Sequence, residues 1–267
     1  MAARGTIRAG IGGWTFEPWR GTFYPKGVKQ KDELTYAASH LTAIEINGTY
    51  YSEFKPDSWM KWRDATPDGF VFAVKALRFT TNRKVLAEAG ESVNRFLNQG
   101  LTLLGDKLGP ILWQFAPSKK FDPVDFGAFL ALLPKELDGV RLRHAVEVRN
   151  ISFLVPEFAA LLREHNVAVC YAKHFDYPEI ADVTADFVYA RLQTGSDAVP
   201  TAYPPEALDA WADRLKAWAE GGQSDDLPKV DPDHTPSRQP RDVFAFIIHE
   251  GKVNAPQGAM ALIERLD

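Results

Sequence analysis

Ala43-Ile44-Glu45-Ile46-Asn47 and Ala145-Val146-Glu147-Val148-Arg149 share one pattern, two aliphatic residues bracketing a glutamate. Side chains alternate across a strand, so residues two apart share a face. Ile44 and Ile46 make one face of the first segment, and Ala43, Glu45 and Asn47 make the other. In the second, Val146 and Val148 oppose Glu147 and Arg149. The β-branched face suits packing on helices. The charged face must then look into the middle of a closed sheet.

The rest of the chain supplies the other strands of that sheet. Short β-rich runs occupy residues 7–11, 70–75, 111–115, 167–171, 187–192 and 243–249, besides 43–46 and 145–148. Most are nearly continuous apolar runs, as parallel strands covered on both faces require. Helical patterns lie between them at 31–41, 92–104, 157–165 and 206–220. Pro156 and Pro205 suit helix starts. Gly109-Pro110 reads as the stop of a helix before the fourth strand. A strand–helix alternation repeated about eight times predicts an α/β fold, a single (β/α)8 TIM-like barrel over residues 1–267. Residues 221–241 are polar and rich in Pro and Asp. They read as a flexible insertion on the amino-terminal face of the barrel.

Polar residues close many of the runs. Lys75 shares the inward face with Val71 and Ala73; Gln114, Arg191 and His249 sit near the ends of the fourth, seventh and eighth strands. Barrel chemistry is assembled at the carboxyl ends of the strands. Buried charges need partners whatever the function, so Glu147–Arg149 and Glu45–Lys75 are also candidates for structural ion pairs. As a site, Glu45 and Glu147 are the candidate catalytic acid and base. Lys75, Arg149 and Arg191 clamp a phosphate or carboxylate. Asn47 and Gln114 orient it, His249 completes the rim, and Trp14 and Tyr50 offer aromatic surface.

The bulk numbers narrow the classes. Hydrophobic residues make up 45% and charged residues 25%, enough for a substantial core. A net charge of −4 and a pI near 5.9 argue against a duplex-binding protein, which needs a basic surface. The one cysteine, Cys170, lies mid-strand and reads as packing; it excludes an internal disulfide. No apolar run approaches a membrane span. The expected setting is cytoplasmic, with a small-molecule substrate and no nucleic-acid or membrane partner.

No His-Glu-x-x-His, paired-cysteine or His-x-His motif occurs. No cofactor is predicted, the alternative being a divalent metal held by Glu45, Glu147 and His249. Neither a phosphate-binding glycine fingerprint nor a Gly-x-Ser-x-Gly elbow is present; Gly10-Ile11-Gly12-Gly13-Trp14 is a glycine-rich turn where backbone can approach an anion. The leading expectation is an enzyme acting on a small polar or anionic substrate by acid–base chemistry. The alternatives are a non-catalytic barrel for a nucleotide or phosphosugar, and a metal-dependent nuclease or isomerase by fold analogy.

The ordered motifs resemble the YecE-like family, the domain of unknown function 72. They run from Gly12-Gly13-Trp14 and Trp19-Arg20-Gly21-Thr22-Phe23-Tyr24-Pro25, through Ile44-Glu45-Ile46-Asn47-Gly48-Thr49-Tyr50-Tyr51 and Phe70-Val71-Phe72-Ala73-Val74-Lys75-Ala76. They continue with Lys107-Leu108-Gly109-Pro110-Ile111-Leu112-Trp113-Gln114-Phe115-Ala116-Pro117, Val146-Glu147-Val148-Arg149-Asn150 and Tyr189-Ala190-Arg191-Leu192. The resemblance implies a TIM-like barrel and brings no assigned activity. The chain departs from the family pattern in three places. Relatives read Tyr-x-Arg-x-His-Gly at the seventh strand, where this chain has Gln193-Thr194-Gly195 after Leu192. The eighth strand ends Ile247-Ile248-His249-Glu250-Gly251 in place of a Phe-Asn-Asn type motif. The insertion at 221–241 is the third departure.

Overall fold

The computed structural model describes residues 4–266. Eight parallel strands close into a barrel: β1 Ile7–Gly12, β2 Ala43–Ile46, β3 Val71–Lys75, β4 Leu108–Gln114, β5 His144–Glu147, β6 Ala168–Lys173, β7 Phe187–Thr194 and β8 Asp242–Glu250. Each pairs with its neighbours in chain order, and β8 closes on β1. Helices α1 Glu33–Ala38, α2 Pro56–Asp64, α3 Gly90–Leu97, α4 Pro123–Ala131, α5 Pro156–His165, α6 Pro205–Ala219 and α7 Ala255–Ile263 form the outer layer. Proline in the first turn opens α2, α4, α5 and α6, where its missing N–H costs nothing. Asp122 caps α4 through the backbone N–H groups of Val124 and Asp125, at 3.0 and 3.1 Å.

The alternation that decides the fold holds in space. Ile44, Ile46, Val74, Trp113 and Val146 join the helices in the outer core, with Trp59, Phe96, Phe129, Phe158 and Leu162. Ala43, Val71, Ala73, Leu112, Ala145, Cys170, Phe244 and Phe246 fill the barrel interior. Trp59 and Trp62 lie on α2 and pack edge-on at 5.1 Å.

Gly109-Pro110 does not stop a helix. Both residues lie inside β4, which begins at Leu108. A Cβ at Gly109 would stand 2.4 Å from Val71 Cγ1 and 2.9 Å from the Phe72 carbonyl oxygen, so only glycine lets β4 approach β3 there. Pro110, without a donor, falls where the β3–β4 register shifts. A short antiparallel hairpin, Glu136–Leu137 with Val140–Arg141, precedes β5 and was not expected.

No helix connects β6 to β7, and part of the insertion packs against this connection. Ile180, Ala181 and Val183 run in irregular chain beside Val169, Tyr171 and Trp218. The segment at 221–241 lies over this stretch. Ala181 N–H donates to the Pro228 carbonyl at 2.8 Å, and the Asp182 carboxylate accepts from the backbone N–H of Val230 and Asp231 at 2.8 and 3.0 Å. Arg163 pairs with Asp231, and buried Arg241 donates to the carbonyls of Gly222 and Ser237. The insertion expected at 221–241 is thus held at these points, beside a β6–β7 connection that contains no helix. Several of its backbone polar groups find partners within the protein, which a free loop would give to water.

Candidate functional site

The strand registers bring the polar groups to one level. Glu45 stands between Gly12 and Ala73 in the ladder, and Glu147 is opposite Gln114. Arg191 stands between Ala172 and Phe246. Gly12, Ala73 and Ala172 leave the axis open for the long side chains. A Cβ on Gly12 would come within 2.9 Å of both Asn47 Nδ2 and Ile248 Cγ2.

Arg191 joins the two glutamates. Its Nε and Nη2 donate to Glu45 Oε2 and Oε1 at 3.1 and 3.0 Å, and its Nη1 donates to Glu147 Oε2. Tyr189 Oη donates to Glu45 Oε2 at 2.6 Å and Asn47 Nδ2 to Oε1 at 2.9 Å. Glu147 Oε1 accepts from Gln114 Nε2 at 2.9 Å and Arg149 Nε at 2.7 Å. Both glutamates are fully buried, and every carboxylate oxygen has a donor.

The charges follow from this packing. Burial pushes the Glu147 carboxyl up, but Arg191, Arg149 and Lys75 outweigh it and hold the pKa down at about 2. Burial pulls Arg191 down, while Glu147 and Glu45 more than reverse the effect, so its guanidinium stays charged. Burial raises the Tyr189 hydroxyl, and Glu45 beside it raises it further, so it remains a donor. Lys75 differs. Burial, then Arg191, lower its ammonium to about 8 against the opposing pull of Glu45 and Glu147. It pairs with no carboxylate among the described residues; its Nζ lies 4.1 Å above the centroid of the Tyr50 ring. Thr49 Oγ1 donates to the Lys75 carbonyl at 2.6 Å, which pins the loop after β2 to the end of β3.

Above this layer, at the carboxyl ends of the strands, lies a cavity of about 650 Å³. Lys75, Arg149, Arg191, Asn47, Gln114, Tyr50 and His249 reach its wall, as does Lys252 from the loop after β8. Among the described residues no aspartate or glutamate lines it.

Several expectations are corrected by this geometry. Glu45 and Glu147 come together, yet they lie beneath the cavity rather than on its wall, with their oxygens already engaged. The Glu45–Lys75 pair does not form, because Arg191 reaches Glu45 from β7; the Glu147–Arg149 pair does. Trp14 is not at the cavity. It packs edge-on against Trp62 and Phe72, at 5.3 and 6.3 Å, on the outer side of the barrel. Trp19 takes the place at the wall, fixed by its Nε1 donating to the Lys252 carbonyl at 2.8 Å. His249 lines the cavity from a left-handed backbone (φ 74°), its ring 5.1 Å from that of His174 and outside the Arg191 cluster.

Sequence reasoning passed over two residues, Tyr189 and Gln193. Both share the inward face of β7 with Arg191, and counting by two from Arg191 finds them. Gln193 is buried, reaches the cavity wall, and its Nε2 has no hydrogen-bond partner among the described residues. The metal alternative meets a chemical obstacle. A guanidinium already sits between the two carboxylates, where a cation would bind. Among the described residues no three His, Cys, Asp or Glu side chains are grouped to hold an ion. No helix among them is long and apolar enough to cross a membrane.

Comparison with known proteins places the chain. It is 29% identical over 142 residues to the UPF0759 protein YecE of Escherichia coli (strain K12), covering 52% of this chain and 48% of that protein. The UPF0759 protein YunF of Bacillus subtilis (strain 168) is 27% identical over 158 residues, with 57% and 54% covered. The chain thus spans about half the length of the curated relatives it matches. A DUF72 family protein of Thermotoga maritima MSB8 superposes with a TM-score of 0.70 at 21% identity, over 97% of both chains. One from Enterococcus faecalis V583 gives 0.70 at 16%, over 98% of this chain and 95% of that one. These two likenesses show the shared barrel. The family model for "Protein of unknown function DUF72" matches residues 8–267, and the chain belongs to that family.

Proposed function

We propose that this protein is an enzyme that binds a small anionic substrate, bearing a phosphate or carboxylate, in the cavity at the mouth of the barrel. The observation that carries the reading is the composition of the wall. Lys75, Arg149, Arg191 and Lys252 reach it, while the carboxylates that balance the arginines lie below. Fixed donors that need no reorganisation are the means by which enzymes hold developing negative charge.

In this reading Glu45 and Glu147 act through Arg191, holding its guanidinium rigid and charged. Proton transfer falls to Lys75, whose pKa of about 8 lies near working pH, whereas Glu147 at about 2 is too weak a base. Asn47 and Gln114 each commit an amide N–H to a glutamate and turn the remaining polar atoms toward the ligand. The proposal takes the cytoplasm as its setting.

A thermal-shift panel of small phosphates, carboxylates and neutral sugars tests it. Anionic compounds should raise the melting temperature, and Arg149→Met should remove the effect. Stabilisation by neutral sugars alone would overturn the anionic assignment. Stabilisation by anions without turnover of any panel compound would favour a non-catalytic binding barrel.

A further inference from the structure

The cations at the cavity are not equivalent. Arg149 and Arg191 are committed to Glu147 and Glu45. Lys252 holds its ammonium 4.2 Å over the Phe16 ring. Lys75 is buried at the end of β3, makes no ion pair among the described residues, and rests on the face of Tyr50. A second observation concerns the same cavity. The Gln193 Nε2 is buried without a partner among the described residues, and an unpaired buried donor is costly unless a ligand oxygen completes it.

We propose that Lys75 captures a small carbonyl compound carrying an anionic group next to the carbonyl, a 2-oxo acid or a keto phosphate, as a Schiff base. The inference rests on the anionic-substrate reading above and narrows its substrate class. Arg149 and Arg191 supply positive charge for the anion, and Gln193 Nε2 donates to the carbonyl oxygen. The Nζ lone pair adds to the carbonyl carbon as the C=O π bond opens, and a proton passes from nitrogen to oxygen to give a carbinolamine. The C–O bond then breaks, and both amine protons leave with the oxygen as water. One amine and one carbonyl become one imine and one water, with no oxidant or reductant consumed.

The attack needs a neutral amine. Arg191 on β7 and Arg149 after β5 disfavour the ammonium, and Glu45 on β2 and Glu147 on β5 favour it; burial is the largest effect. At a pKa of about 8, roughly a tenth of the molecules carry the free amine at pH 7. Lysines desolvated beside other cations are a recurrent source of such nucleophiles.

The test incubates the full chain with sodium cyanoborohydride and either pyruvate or dihydroxyacetone phosphate at pH 7, followed by peptide mass mapping. Lys75 should be alkylated at least about tenfold faster than the exposed Lys26 and Lys29, which lie outside the cavity and beside none of its anion-binding cations. Whichever compound labels it identifies the anion. Lys75→Arg should remove the adduct, and Gln193→Leu, which keeps the amine, should slow labelling. Labelling of Lys75 no faster than Lys26 with both compounds overturns the proposal. Melting curves with the same compounds and no reductant separate the two readings. A stabilising shift without an adduct overturns the Schiff base alone, and neither shift nor adduct overturns both.

Discussion

Arg191 holds Glu45 through two parallel hydrogen bonds, Nε to Oε2 at 3.1 Å and Nη2 to Oε1 at 3.0 Å, inside the barrel and past the two strands that separate β7 from β2. The third nitrogen of the same guanidinium goes to Glu147. One buried cation thus bridges two buried anions, and Arg149 and Lys75 together bring the local balance from negative to positive at the cavity. A charge triad of this kind contributes little net stability, but removing one member is severe because the others are left uncompensated.

Arg191→Met should therefore destabilise the fold by about 3–5 kcal/mol, the usual cost of stranding a buried charge. Equilibrium urea unfolding checks this. Glu45→Gln keeps the shape and an acceptor, so its cost should be smaller, about 1–3 kcal/mol. Equal costs for the two would mean that the barrel relaxes around the cluster.

The depressed Glu147 pKa makes acid stability a readout of the cluster. Its folded-state value of about 2 lies below the ordinary 4.5, so the carboxylate stabilises the fold fully above that ordinary value. The contribution disappears as pH falls from 4.5 to about 2, and amounts to about 3 kcal/mol. Glu147→Gln should flatten the fall of unfolding free energy across that window, and unchanged curvature would place the acid sensitivity elsewhere.

Lys75 has the opposite relation to stability. A lysine lowered from 10.5 to about 8 is penalised when charged, so the unfolded chain binds the extra proton between these values. Stability should rise with pH between about 8 and 10.5. Lys75→Met should stabilise the protein at pH 7 by about 1–3 kcal/mol, with the advantage fading through that range. The same variant should lose anion binding. Destabilisation at pH 7 would show that the Tyr50 contact compensates for burial.

Gly109→Ala tests the close approach of β4 to β3. Its methyl group would meet the Phe72 carbonyl and the Val71 side chain, so the expected loss is about 1–3 kcal/mol, measured by thermal unfolding.

Asp182→Ala should release the covering segment at 221–241. The Val230 and Asp231 N–H groups lose their acceptor. Limited proteolysis of the variant should then cut between 224 and 235 faster than that of the wild type. Unchanged cleavage would mean that Arg163–Asp231 and the Arg241 bonds suffice.

The sequence by itself determined the barrel and the layer that carries the charges. Alternation in 43–47 and 145–149 requires two covered faces, and chain order then dictates which strands neighbour which. It placed Glu45, Lys75, Gln114, Glu147 and Arg191 at one end, because a period of two is a local property of the backbone. It did not determine who pairs with whom. Arg191 reaches Glu45 from 146 positions away in the chain, and Gln114 reaches Glu147 through strand register. Only closure of the barrel brings those atoms within bonding distance, and only packing decides which charges are buried and satisfied. That is why the hydrogen bonds from Arg191 to the two glutamates that read as an acid and a base could not be seen along the chain. Lys75, which read as one clamp among three, is left as the amine without a partner. The insertion follows the same logic. Its polar composition signals a loop, but whether a loop is free or tethered depends on acceptors elsewhere in the chain, here Asp182.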